Sequence, residues 1–164
     1  MKLVGPFLRR EPECEAILRT LPEWFGIEDA LLMYARDTGT LPTFALEESS
    51  QLVAFLSLRE HFPKSWEISC VAVTAAHRNM GLGSRMLSYA EEWLLGKGAT
   101  YLQVKTLAPG AGDPNYEQSR HFYLARGFIP VEVFPKLWSP SNPALLLIKQ
   151  LGAAERLDAA GRDK

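Results

Sequence analysis

From Val71 to Ser84 the chain reads Val-Ala-Val-Thr-Ala-Ala-His-Arg-Asn-Met-Gly-Leu-Gly-Ser, an apolar strand, a short turn and a helix opened by glycines. Such a junction binds anions. The first amides of a helix have no partner within it, and the macrodipole gives that end partial positive charge. Gly81 and Gly83 let an anionic group approach the backbone, and Arg78 adds a permanently charged, forked set of donors. The bland alternative is a glycine turn that only starts a helix. A dinucleotide-binding turn would need a third glycine or alanine where Met86 stands, and an acidic residue where Leu102 and Gln103 sit in an apolar run. A Walker loop fails as well, since no Gly-Lys-Ser/Thr follows the glycines.

The other chemistry-bearing residues are sparse. His61, His77 and His121 have no second ligand at metal spacing, so each is expected to be solvated or at the edge of the core. Cys14 and Cys70 match no zinc or redox spacing, and Cys70 alternates onto a face with Ile68 and Ala72 as a small buried hydrophobe. Without a Ser-His-Asp or Cys-His arrangement, covalent catalysis is disfavoured.

The elements that must position the glycine junction follow from periodicity. Trp66–Val73 reads as a strand with Trp66, Ile68, Cys70 and Ala72 on one face and Glu67, Ser69, Val71 and Val73 on the other, both faces expected to be mostly covered. Leu82, Met86, Ala90, Trp93 and Leu94 repeat at helical steps until Gly96-Lys97-Gly98. A strand from Tyr101 to Thr106 completes a crossover unit, expected to be right-handed with parallel strands. Upstream, residues 1 to 9 suggest a first strand, Cys14–Leu21 and Ile27–Asp37 two helices, and Leu41–Leu46 and Gln51–Leu58 a hairpin. Downstream, Asp113-Pro114 caps a helix running to Arg126, and Phe128–Phe134 and Ala144–Leu151 are final strands joined by a proline-punctuated loop containing Trp138.

At 164 residues with 47% apolar content the chain can bury one core, so a single domain over residues 1–151 is expected, with 152–164 a flexible tail. A net charge of −1 with interspersed signs argues against a nucleic-acid face or a polybasic membrane patch. The apolar run before Arg9 is too short for a secretion signal, and none approaches membrane-spanning length, so the expected compartment is the cytoplasm.

The Arg-x-x-Gly-x-Gly spacing at 78–83, set between a strand and an amphipathic helix, resembles the acyl-CoA pyrophosphate signature of the GCN5-related N-acetyltransferase (GNAT) family. His-Phe-Tyr-Leu-Ala-Arg-Gly-Phe at 121–128 resembles a later helix of the same family, and the likeness is most specific from Trp66 to Phe128. It implies an α/β fold of the acyl-CoA N-acyltransferase type: a twisted mixed sheet of six or seven strands, helices on both faces, splayed after the strand ending at Val73. It further implies acetyl-CoA as co-substrate, with no metal. The pantetheine would bond backbone groups of Val71 and Val73, and the amides of Asn79, Met80, Gly81, Leu82, Gly83 and Ser84, with Arg78, would wrap the pyrophosphate.

Acetyl transfer to an amine needs a neutral nucleophile, whereas an alkyl ammonium with a pKa of about 10 is almost fully protonated at neutral pH. The resemblance extends to Glu67 as the general base, because histone-acetylating members carry a glutamate at this offset; a solvated or salt-bridged glutamate is the plainer alternative. An amide of Val71 or Val73 would polarise the thioester oxygen. Tyr123, four residues before Gly127-Phe128, would protonate the departing thiolate, against the plainer reading of a core aromatic. Many members bond the pantetheine with an asparagine six residues before this tyrosine; Glu117 holds that place here, with Asn115 two residues earlier. The expected function is acetylation of a primary amine, of a small molecule rather than a protein tail, by direct attack in a ternary complex. The alternative is a catalytically silent acyl-CoA sensor. The acceptor would be shaped by Trp24, Phe25 and Tyr34 and by Lys136, Leu137 and Trp138, aromatic-rich segments that could equally be core. No nucleic-acid or membrane partner is expected, and a homodimer through exposed sheet edges is left open.

Overall fold

The computed structural model describes residues 1–110 and 112–152, so all of the expected tail beyond Gly152 lies outside the described residues. In chain order the elements are β1 (Lys2–Val4), α1 (Glu11–Arg19), α2 (Glu28–Asp37), β2 (Thr43–Glu48), β3 (Gln51–Phe62), β4 (Ser65–Val73), α3 (Leu82–Gly96), β5 (Tyr101–Leu107), α4 (Pro114–Leu124), β6 (Ile129–Ser139) and β7 (Asn142–Gln150). Seven strands in a mixed sheet and four helices give the α/β class that the sequence implied. The chain forms two compact units, one of Met1–Arg59 with Glu67–Glu92, the other of Glu60–Trp66 with the chain from Trp93.

In the first unit the strands run β1-β2-β3-β4. Ser49 and Ser50, both at positive φ, turn β2 into β3, and the pairing Leu46↔Ala54 and Thr43↔Ser57 fixes their register. One face of α1 and α2 buries Cys14, Ile17, Leu18, Leu31 and Ala35 against Ala45, Leu52, Phe55, Cys70 and Ala72. Acidic residues in their first turns and an arginine in each last turn match the helix dipoles. Arg19 reaches Glu28 across the helix pair at 2.7 Å, and Arg10 reaches Glu47 on β2 at 2.8 Å. The exposed Arg19–Glu28 pair fixes geometry more than it adds stability, whereas Arg10–Glu47 is partly buried. β3 runs four residues past the expected Leu58, because pairing with β4 holds the polar stretch Arg59–His61 extended although it lacks an apolar rhythm.

The two faces of β4 are covered unequally, within the expectation that both are mostly covered. Trp66, Ile68, Cys70 and Ala72 are buried, but Glu67, Ser69, Val71 and Val73 are all only partly covered. Both cysteines are free thiols in the apolar cluster. Burial pushes Cys14 up to about 11 and Cys70 higher still. Their folded values lie above the unfolded thiol value of about 8.5, so the stability they contribute is complete below that pH and is lost as pH rises through the folded values. We expect neither thiol to react with iodoacetamide at pH 8 until denaturant is added, and the Tm to decline on going from pH 8 to pH 11. Rapid alkylation of the folded protein would contradict this burial.

In the second unit the order is β5-β7-β6, with β5 and β7 antiparallel from Tyr101↔Gln150 to Leu107↔Ala144. Asp113 caps α4 by accepting the Asn115 amide at 2.9 Å, Pro114 stands in the first turn, and Gly127 follows the helix at φ +89°, as its sequence suggested. The expected loop after Phe134 is instead strand: β6 continues to Ser139 and only Pro140 and Ser141 make the turn. An edge strand tolerates prolines that an interior strand would not, and the irregular register between Phe134 and Ser139 absorbs Pro135.

Candidate functional site

The junction after β4 is fixed from three sides within the first unit. The Thr74 amide donates to the Val53 carbonyl of β3 at 2.9 Å, and the Ala75 amide to Thr20 Oγ1, just past α1, at 3.3 Å. His77 Nδ1 meets Thr74 Oγ1 at 2.8 Å while its Nε2 meets Glu48 Oε2, at the end of β2, at 3.0 Å. His77, expected to be a solvated or core-edge side chain, is thus the tie that closes the single 3-10 turn Ala75–His77. Nothing local in the sequence signals this, because Glu48 lies 29 positions away.

Beyond that turn Arg78 is extended, and Asn79 at φ +61° and Gly81 at φ +75° both enter the left-handed region that asparagine and glycine tolerate best. A Cβ on Gly81 would meet nothing within 4 Å, so the space beside it is open. The Arg85 amide donates to the Gly81 carbonyl at 3.1 Å, which starts α3. Leu82 is buried as the helix's first core residue, whereas Asn79, Met80 and Gly81 are exposed and Gly83 and Ser84 partly covered. The segment therefore presents backbone and an arginine, and the one bulky side chain among its exposed residues is Met80. The Arg78 guanidinium lies over the Trp24 indole, 3.9 Å from the ring centroid. Arg85, on the first turn of α3, sits at 5.8 Å over Tyr89 and donates to its hydroxyl at 3.4 Å.

Glu67, Val71 and Val73 share the partly covered face of β4, as their alternation along the strand predicts. The first unit thus holds Glu67, Val71, Val73 and the whole of Arg78–Ser84. Glu117 and Tyr123 stand on α4 in the second unit, in opposite environments. Glu117 is exposed, with His121 Nε2 3.7 Å from its carboxylate. Tyr123 is only 5% exposed, its ring edge-on to Phe128 at 5.4 Å, and its carbonyl accepts the amides of Arg126 and Phe128 where the helix ends. The α4 backbone is tied to the end of β5 by Arg120, which donates to the Leu107 carbonyl at 2.8 Å.

Of the aromatic segments expected around an acceptor, Phe25 and Tyr34 meet edge-on at 6.0 Å and pack on the core of the first unit. Lys136, Leu137 and Trp138 are exposed on β6, where Phe134–Leu137 line an open depression. Among the described residues no group of three or more His, Cys, Asp or Glu side chains could hold a metal ion, and no helix is long and apolar enough to cross a membrane.

The profile of the acetyltransferase (GNAT) family matches residues 9–128, a span that contains Glu67, the whole glycine junction and Tyr123. No curated protein matches the sequence. Among solved structures, a GNAT-family protein from Desulfovibrio desulfuricans aligns with a TM-score of 0.77 at 13% identity, covering 92% of this chain and 98% of that one. An aminoglycoside 6'-N-acetyltransferase complexed with coenzyme A aligns at 0.73 and 17%, covering 92% and 97%. The ribosomal-protein-S18-alanine N-acetyltransferase from Escherichia coli aligns at 0.73 and 15%, covering 92% and 93%. At these identities the likeness is one of fold.

Proposed function

The chain belongs to the GNAT acetyltransferase family, and on that premise we propose that it transfers an acetyl group from acetyl-CoA to a primary amine of a small molecule. The observation that carries this is the backbone after β4: Arg78 extended, Asn79 and Gly81 left-handed, and α3 opening directly behind them. That path aims helix amides and one guanidinium at a single anionic group. In this reading residues 1–151 act as one domain, in the cytoplasm. Fold alone leaves the acceptor open, since fold relatives include both an aminoglycoside 6'-N-acetyltransferase and a ribosomal-protein alanine N-acetyltransferase. The small-molecule acceptor is favoured because no strongly acidic run offers a lysine-rich tail a docking surface.

In the proposed mechanism Arg78 and the amides of Asn79, Met80, Gly81, Leu82, Gly83 and Ser84 hold the pyrophosphate. Backbone groups of Val71 and Val73 hold the pantetheine along the partly covered face of β4, with Glu117 bordering it from α4. The amine nitrogen attacks the thioester carbonyl, whose oxygen is stabilised by a β4 amide, and Glu67 takes the amine proton directly or through water. The C–S bond breaks, the CoA thiolate takes the Tyr123 proton, and the second proton on the nitrogen passes through water to restore the Tyr123 phenol, while Glu67 releases the first to solvent. Acetylated amine and free CoA leave.

Calorimetry with coenzyme A, paired with thiol release from acetyl-CoA across a panel of amines, tests this proposal. Binding with turnover is expected; thermal stabilisation by CoA without turnover of any amine would make the protein a sensor, and no heat with CoA would remove the cofactor altogether. Glu67→Gln should lower kcat/KM at pH 7 by about 100-fold and much less near pH 10, where the amine supplies its own neutral form. A pH-rate profile lowered equally at every pH would show that Glu67 is not the base.

A further inference from the structure

We propose that Trp24 is a positioning residue for the cofactor's phosphates: its indole holds the Arg78 guanidinium at the mouth of α3. This rests on the reading of Arg78–Ser84 as the phosphate cradle. The Arg78 Cζ lies 3.9 Å from the centre of the Trp24 ring, well inside the reach of a cation–π contact. A cation–π contact draws on the charge of the guanidinium and the face of the ring, not on a hydrogen-bond acceptor. The indole therefore orients the group without competing for the hydrogen bonds that a phosphate accepts.

Trp24 is itself well anchored. The Leu21 carbonyl accepts the amides of both Trp24 and Phe25, at 3.1 and 3.0 Å, and Leu21 is 4% exposed within the core. Gly26 lets this turn close, since a Cβ there would come within 3.1 Å of the Pro22 carbonyl. Thr20, just past α1, also holds the turn that leads into the cradle, through the Ala75 amide. Two contacts from one short segment thus brace the turn that carries Arg78. This assigns Trp24, which the sequence offered as an acceptor-side or core aromatic, to the cofactor. Trp24 packs against the first unit's core alongside Phe25 and Tyr34, which fixes its ring beneath the guanidinium.

The assignment separates Trp24→Leu, which keeps apolar bulk but loses the π face, from Trp24→Phe, which keeps a smaller one. By calorimetry Trp24→Leu should bind CoA roughly tenfold more weakly, and Trp24→Phe should recover most of that loss. In steady-state kinetics the Leu variant should raise KM for acetyl-CoA while leaving kcat and the KM for the amine unchanged. In an Arg78→Ala background Trp24→Leu should cost nothing further, because its effect passes through the guanidinium. Circular dichroism confirms that each variant is folded. A folded Trp24→Leu protein that binds CoA like wild type, or that loses as much affinity without Arg78 as with it, overturns the proposal. A wild-type protein that takes up no CoA overturns the cradle itself, a result distinct from either of these.

Discussion

Tyr123→Phe lowers kcat by about 100-fold or more while CoA affinity stays close to wild type. The substitution removes one oxygen and its proton. The ring keeps its edge-on contact with Phe128 at 5.4 Å and its place in the buried end of α4, and a thermal melt of the variant checks that the fold is retained. What is lost, in the proposed mechanism, is the proton that neutralises the departing thiolate. Because this group acts after the amine has attacked, the loss should fall on kcat and kcat/KM together and not on cofactor binding. Rapid-quench measurement of acetylated amine isolates this step from product release. An unchanged single-turnover rate would return Tyr123 to the core aromatics.

Gly81→Val should raise the Kd for CoA by at least about 100-fold, a loss of roughly 2.7 kcal/mol. Two effects combine. A β-branched residue at φ +75° is strained, so the turn relaxes away from the conformation that directs its amides outward. The isopropyl group also enters the open space beside Gly81, which in the proposed mechanism the diphosphate would occupy. Since that space holds no protein atoms within 4 Å of the added Cβ, the fold should lose only the strain energy of about 1–2 kcal/mol, or about 2–8 °C in Tm. Calorimetry and thermal melts on the same preparation separate the two. A variant whose affinity is intact would mean that no phosphate sits at the start of α3.

The glycine junction was legible because its signal is local: an alternating strand, two glycines and an amphipathic run determine one another over about twenty residues. The cap at Asp113-Pro114 was legible for the same reason. What braces the junction was not. Glu48 and His77 are 29 positions apart and Trp24 and Arg78 are 54 apart, and no periodicity encodes a contact between elements so distant in sequence. The length of β6 was misread for a different reason. Pro135, Pro140 and Pro143 together read as loop, but only Pro140 falls in the turn; Pro135 lies on β6, which at the end of the order β5-β7-β6 has one side without a neighbouring strand in the sheet, where a missing N–H costs little, and Pro143 stands at the start of β7. The faces of β4 show the limit of pattern alone: alternation separated the two faces correctly, but not which of them is buried and which only partly covered.

The final strand of the sheet has one more consequence. Ile129, Val131 and Val133 of β6 are 61%, 53% and 45% exposed, the composition of a segment that would zip onto another copy of itself. Pro130 and Pro135 carry no N–H to donate, and the register shifts beside them break the regularity of the strand. An uninvited chain would find only a few consecutive rungs to grasp, so a greasy border stays compatible with life at high concentration.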